Sequence, residues 1–178
     1  MFSIIIATND SERALVHTLA ALVPGATMGV VREVIVADGG SSDETRQVAD
    51  YAGCVFFSSR ERLGARLKDA AARARGEWLM FLQPGVIPGP SWIDEIIMFI
   101  QHARGQAAVF SAESGGLAQW VRRAFAALPR AGQGLVIAKR LYAELGGHRA
   151  DAAEPESDLL RRIGRRRLTV LRTPVNNI

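Results

Sequence analysis

Apolar and polar positions along this 178-residue chain change period again and again. Residues 2–7 (FSIIIA) form a short β-branched run with little polar alternation, the pattern of a strand covered on both faces. Residues 11–22 return apolar positions at helical spacing, with Ser11 placed to cap the helix and Glu12 in its first turn, where a carboxylate suits the helix dipole. Pro24-Gly25 breaks the pattern. Residues 33–37 (EVIVA) read as a second buried strand, running into Asp38-Gly39-Gly40-Ser41-Ser42-Asp43. Asp43 is placed to cap a helix through residue 52, and residues 54–58 give a third strand. Residues 62–74 are helical and rich in Ala, Leu and Arg; Gly76 ends them, and residues 78–82 (WLMFL) make a fourth strand. A segment rich in Pro and Gly (residues 84–90) leads to a helix over residues 91–104.

Strand and helix alternating strictly over the first hundred residues predicts an α/β fold, with a mostly parallel central sheet and helices on both faces. Ligands on such sheets bind beyond the carboxyl ends of the strands, here near Thr8, Asp38 and Gln83. The second half is less regular. It offers strands at residues 107–111, 134–138 and 168–171. Its helices are expected at 117–128, from 139 to about 145 ahead of Gly146-Gly147, and at 156–163. A boundary near Arg104-Gly105 divides one domain, residues 1–178, into a half at 1–104 and a half at 105–178.

Composition narrows the class. With 48% hydrophobic and 22% charged residues and a mean hydropathy of +0.08, the chain fits one globular domain and not a disordered one. The single cysteine, Cys54, excludes a disulfide framework, and the scattered His17, His102 and His148 show no metal-site spacing. No apolar run is long enough to span a membrane, and residues 1–6 lack a basic leader, so a cytoplasmic protein is expected. The pI near 10.0 follows from 22 Lys and Arg against 18 Asp and Glu. That surplus favours anionic partners: phosphates, nucleic acid or an acidic membrane face.

Among single residues, Asp38 follows a buried strand and precedes two glycines. A carboxylate there can bond the polar edge of a base or ribose, or it can cap the turn that the glycines make. Five arginines, Arg161, Arg162, Arg165, Arg166 and Arg167, make the densest basic run, which fits a helix C-terminus or a phosphate-rich surface. No stacking signature or DNA-reading helix accompanies it, so nucleic acid is not expected as a partner. Trp120, Phe125 and Leu128, with Arg122, Arg123 and Arg130, fit core packing or peripheral contact with the anionic inner face of a membrane. His148 after the glycine pair suits a turn or the border of an acceptor pocket, and Cys54 suits inert core.

In order and spacing, SIIIATND, VIVADGGSSDET, the Arg-rich helix ending RARGEWLMFL, GQGLVIAKRLYAELGGH and PESDLLRRIGRRRL resemble family 2 glycosyltransferases over nearly the whole chain. The resemblance implies the nucleotide-sugar-binding fold called GT-A. It also implies transfer of a sugar from a nucleotide-diphosphate sugar to an acceptor hydroxyl. Under it, Thr8 and Asn9 lie beside the nucleotide, Asp38 contacts the base, and Arg62 and Arg66 face the diphosphate, with a solvated basic face as the plain alternative. Where the family reads Glu-Asp this chain has Pro155-Glu156-Ser157-Asp158. Glu156 therefore falls on the catalytic base, its alternative being a helix-opening carboxylate, and Glu154 is a second candidate.

The departures are specific. The acidic Asp-x-Asp metal motif at the end of the fourth strand is replaced by Leu82-Gln83-Pro84-Gly85-Val86. The GDQG-like segment reads Ala131-Gly132-Gln133-Gly134. A diphosphate leaving group needs charge stabilisation from a metal or fixed cations. With no acidic ligands, Mg2+ or Mn2+ is expected to be held mainly by substrate phosphates, or else Arg62, Arg66, Lys68 or Lys139 supplies the charge. A non-catalytic binding or scaffold protein that kept the fold is the rival reading. The chain is short for the family, which leaves room for an oligomer in which a second subunit completes the acceptor side.

Overall fold

Strand alternation dictates the layering. A computed structural model describes residues 1–102, 106–112 and 132–177. These form eight strands: β1 (Phe2–Thr8), β2 (Val31–Asp38), β3 (Val55–Ser58), β4 (Trp78–Leu82), β5 (Val86–Pro88), β6 (Ala107–Ala112), β7 (Leu135–Ala138) and β8 (Leu168–Asn177). The helices are α1 (Glu12–Thr27), α2 (Thr45–Tyr51), α3 (Leu63–Arg73), α4 (Trp92–His102), α5 (Lys139–Glu144) and α6 (Pro155–Ile163). One sheet takes the order β3-β2-β1-β4-β7-β6-β8-β5, parallel through β3, β2, β1 and β4, with β7 and β5 reversed. Successive residues of a strand face opposite ways. Thus Ile4, Ile6, Met80 and Leu82 meet Leu15 and Leu22 of α1 and Ile93 and Ile96 of α4. Ile5, Leu79 and Phe81 meet Leu67 and Ala70 of α3 and Leu159 and Ile163 of α6. Both faces of the sheet are covered, as the unbroken apolar strands predict.

Pro24 does not end α1, which continues to Thr27. The N–H that Pro24 lacks is one bond, and the last turn is held regardless: Met28 N–H donates to Pro24 O and Val30 N–H to Gly25 O, both at 3.0 Å. Gly25 is there because Trp92 lies across it; a Cβ would come within 2.5 Å of the indole. β5 arises inside the Pro- and Gly-rich segment, where no strand is predicted. β8 runs well past residue 171. Pro174 and two asparagines hide its second half in sequence. Pro174 sits at the irregularity where β6 steps from Val109 to Ser111 while β8 steps from Val170 to Pro174, so no ladder N–H is demanded of it.

In sheet order β5 stands four strands from β4, about 19 Å in a flat sheet. The Gln83–Gly85 link reaches at most about 14 Å. The sheet therefore bends around α1 and α4, and Leu82, Val86, Leu171 and Val175 share one core. The expected helix at 117–128, with Trp120, Arg122, Arg123, Phe125 and Leu128, lies outside the described residues. So do Arg104-Gly105, Arg130 and Ala131.

Gly64, in the first turn of α3, packs so close to the loop after α5 that a Cβ would sit 2.1 Å from Arg149 O. Gly64→Ala is expected to lower stability by about 1–3 kcal/mol, because backbone and not a flexible side chain must yield. An unchanged urea midpoint would show that the helix can shift freely.

Candidate functional site

In-register pairing brings the strand ends level: Asp38 pairs with Thr8 on one side and Ser58 on the other. Both neighbours carry hydroxyls, and both donate to its carboxylate, Thr8 Oγ1 at 2.9 Å and Ser58 Oγ at 3.0 Å. The chain then turns back on the same group, with Gly40 N–H at 2.8 Å, Ser41 N–H at 2.9 Å and the Ser41 hydroxyl as a fifth donor. Burial raises the Asp38 carboxyl pKa, and these donors more than reverse that, bringing it down to about 2. A carboxylate offers about four lone-pair sites. Five donors leave Asp38 no spare acceptor for a base, so here it is the strut of the loop that it opens.

A second carboxylate stitches the neighbouring loop. Asp10 has φ 46°, a backbone state that Asp tolerates better than most residues. Its Oδ1 accepts Ser42 N–H at 2.7 Å and Ser42 Oγ at 3.1 Å, while its own N–H donates to Ser41 Oγ at 2.8 Å. Ser11 does not cap α1: its hydroxyl turns back to Asn9 O at 3.0 Å. Asp43 does so instead, accepting Glu12 N–H at 3.0 Å through one oxygen and Thr45 N–H at 3.1 Å through the other.

Arg66 comes up from α3 beneath these loops. Its Nη1 donates to Thr8 O at 3.0 Å and Ala37 O at 2.8 Å, closing the ends of β1 and β2. Burial pulls its pKa below the usual guanidinium range, against the attraction of Asp38. Nη1 of this guanidinium is thus committed to main chain, while its buried Nε has no partner among the described residues. Lys139 is also spoken for: its Nζ caps α3 at Ala74 O, 2.5 Å away, beside the start of β4 and so at the opposite end from the strand tips. Lys68 is exposed on α3. Arg62 and Arg60 are exposed at the end of β3, and the Arg60 stem runs 3.8 Å from where a Gly40 Cβ would be. Sequence reading missed Arg60 and Asp10; the only signals were a basic residue just past a strand end and an Asn-Asp pair. Asn9 is exposed above Gly39, whose missing side chain leaves room for it.

Gln83, just beyond β4, belongs to a separate node. Its Nε2 donates to Glu156 Oε2 at 3.1 Å, and Gly132 N–H donates to the same oxygen at 3.0 Å. Glu156 is half-buried in the first turn of α6, and no side chain caps that helix. Burial pushes its pKa above the ordinary carboxyl value, partly opposed by Gly132 and Gln83. Beside it, Val109, Gly134, Leu135 and Leu160 help enclose a cavity of about 10 Å³, the scale of one water. Glu154 is exposed. A larger cavity, about 600 Å³, lies between α4 and the first half of β8, away from the strand tips.

Arg162 leaves the basic run. It bonds Asp158 at 2.8 Å, Leu145 O at 2.6 Å and Gly147 O at 2.7 Å, fixing the chain after α5. His148 is fully buried rather than lining a pocket: Nδ1 meets Tyr142 Oη at 2.9 Å, its ring lies edge-on to Phe81, and Nε2 has no partner among the described residues. Burial, then the Arg162 charge, lowers its pKa to about 3.

Among the described residues no three of His, Cys, Asp and Glu gather to hold a metal. The carboxylates at the strand tips, Asp10, Asp38, Asp43 and Glu156, already accept N–H or O–H donors. These residues do not fit a divalent cation held by protein ligands.

The model of the family described as glycosyl transferase family 2 matches residues 3–153. The chain belongs to glycosyl transferase family 2. The validoxylamine A glucosyltransferase of Streptomyces hygroscopicus subsp. limoneus is 32% identical over 104 residues, which are 54% of this chain and 23% of that protein. This family 2 chain thus spans under a quarter of that relative's length. Glucosyl-3-phosphoglycerate synthase from Mycobacterium tuberculosis superposes with a TM-score of 0.77 at 19% identity, covering 100% of this chain and 72% of that one. The mannosyltransferase PcManGT from Pyrobaculum calidifontis, in complex with GDP-Man and Mn2+, also gives 0.77, at 17% identity over 97% of this chain and 54% of that one. The synthase has been solved with Mn2+, UDP and glucosyl-3-phosphoglycerate as well. The fold of this family 2 chain is therefore the GT-A fold, with its parallel half forming the tips at Thr8, Asp38 and Gln83.

Asp38→Asn is expected to cost about 2 kcal/mol at pH 7. The depressed pKa stabilises the fold above the unfolded value of 3.8, and that stability is lost as pH falls toward about 2. The gap between parent and variant should close over that window in denaturant titrations, and a pH-independent gap contradicts the role given to Asp38. His148 stays neutral in the fold, so its contribution is whole above pH 6.5 and declines as pH falls toward about 3. His148→Phe should flatten acid destabilisation in that range; an unaltered acid-unfolding curve counts against it.

Proposed function

We propose that this chain binds a nucleotide-diphosphate sugar across the ends of β1, β2 and β4 and transfers the sugar to an acceptor hydroxyl, with Glu156 as the general base. The observation that carries the reading is the Glu156 node. A carboxylate from α6 is held at the tip of β4 by Gln83 and by the Gly132 N–H, half-buried, with its pKa raised by burial. A base is most effective when its pKa moves toward the working pH. A side chain serving only the α6 dipole has no need of partners from two other segments.

On the nucleotide side, Asn9 lies over Gly39, and Arg60 and Arg62 are exposed where β3 ends. These arginines, not Arg66, are assigned to the diphosphate. Thr8, Asp38 and Arg66 act behind them by keeping the loops in shape, so that the ligand meets a surface already ordered. The relatives whose names carry UDP-Glc and GDP-Man make those two donors the first to try. The acceptor side belongs to residues 105–178, and the exposed Arg165–Arg167 turn is assigned to an anionic membrane surface or a second subunit. No helix among the described residues is long and apolar enough to cross a membrane.

A non-catalytic binding protein is the second reading, favoured by the four committed carboxylates at the strand tips. Calorimetry with UDP-glucose and GDP-mannose, followed by assays of transfer and donor hydrolysis, separates the two. Glu156→Gln is expected to cut turnover about 10²- to 10⁴-fold while donor affinity holds. Arg60→Ala with Arg62→Ala is expected to weaken donor binding about tenfold or more. Turnover retained in Glu156→Gln removes the base assignment; donor binding with no transfer or hydrolysis moves the chain to the second reading.

A further inference from the structure

Under the proposed function the donor lies across the ends of β1, β2 and β4, and the side chain at the tip of β4 is a neutral carboxamide. Gln83 and the Gly132 N–H share one oxygen of Glu156. Gly132 has φ 93°, and a Cβ on it would stand 3.1 Å from Gln83 Oε1, so the β4 tip, the turn before β7 and the start of α6 are packed into one joint. An oxygen holding two N–H donors has used its lone pairs. That oxygen, Oε2, is poorly disposed to a hard cation, and Oε1 by itself falls short of the several oxygen ligands such an ion asks for at once. Asp38 is saturated, Asp10 holds Ser42, and Asp43 holds the first turns of α1 and α2. Arg60, by contrast, reaches solvent beside the loop at Gly40, and Arg62 is exposed just ahead of α3.

We propose that Gln83 is a positioning residue that puts a neutral tether on Glu156 where a metal ligand would otherwise stand, so that this chain holds a nucleoside diphosphate through arginine side chains and without a divalent cation. This rests on the proposed function and adds to it: the solved relatives named above carry Mn2+, and the tip of β4 in this chain carries a carboxamide. The carboxamide supplies an N–H that an aspartate cannot. Gln83→Asp would place two carboxylates within hydrogen-bond range, and like charges that close do not both ionise unless a cation lies between them.

The full chain is titrated calorimetrically with UDP and with GDP, first in EDTA and then in MnCl2. Affinities within about twofold of each other are expected. Tightening by Mn2+ of about tenfold or more overturns the proposal. Electron paramagnetic resonance of Mn2+ with the nucleotide-free protein reads the site directly. The parent is expected to leave the ion free, and Gln83→Asp to give a bound signal; a bound ion in the parent, or none in Gln83→Asp, overturns the proposal. If neither nucleotide binds in either buffer, the proposed function fails by itself, and the resonance pair still decides whether Gln83 closes the metal position.

Discussion

The Asp38 carboxylate is the constraint on which the nucleotide-facing end of the sheet depends. It gathers hydroxyls from the strands on either side and two main-chain amides from the turn that it begins. Ionised, buried and fully bonded, it does for this loop what a small metal does elsewhere: one centre of charge ordering several segments. Arg66 completes the arrangement from below, donating to the carbonyl of Ala37 and to that of Thr8, which also accepts Gly39 N–H. Asp38 has no acceptor left for a ligand, so its contribution to binding is the shape of the surface, whereas Arg66 spends Nη1 on the strand ends and keeps a buried Nε without a partner among the described residues.

Function, on this view, is divided between two kinds of residue at the same edge of the sheet. One group (Thr8, Asp38, Asp10, Arg66) is bonded to the loops and strand ends and holds geometry. The other (Asn9, Arg60, Arg62) is exposed and chemically available. Glu156 stands between these classes, tethered through one oxygen while its environment disfavours charge. Strand parity separates the two nodes: Asp38 continues the alternation of Val36 on the α1 face, and Gln83 that of Phe81 on the α3 face.

The parallel half of the fold was legible because each of its elements has a local cause. Unbroken apolar runs such as IIIA and VIVA make covered strands, and apolar positions at helical spacing make their crossovers. Gln83 is singled out by its place at the end of the fourth strand, whereas Glu156 is singled out only through the order of motifs, since nothing local distinguishes it. What stayed hidden was set by distant partners. Ser11 has the chemistry of a cap, yet Asp43 wins because parallel pairing of β1 with β2 brings its loop alongside. Arg66 has the chemistry of an anion binder, yet carbonyls at two strand ends claim it first. Pro24 has the chemistry of a terminator, yet Trp92 lying on Gly25 keeps the last turn in place. β5 became a strand because the bent sheet offers it β8 as a neighbour.

The long reach from Asp43 to the opening turn of α1 bears on the order in which the molecule assembles. A helix whose first amide is satisfied from 31 residues further along has no complete start signal while the ribosome has delivered only its own segment. Helix nucleation is costly, and most of the stability of a protein helix comes from packing its apolar face. The amino-terminal strand–helix unit is therefore not an autonomous seed: it becomes a settled piece of structure only once the second strand has docked and carried that acidic loop into place.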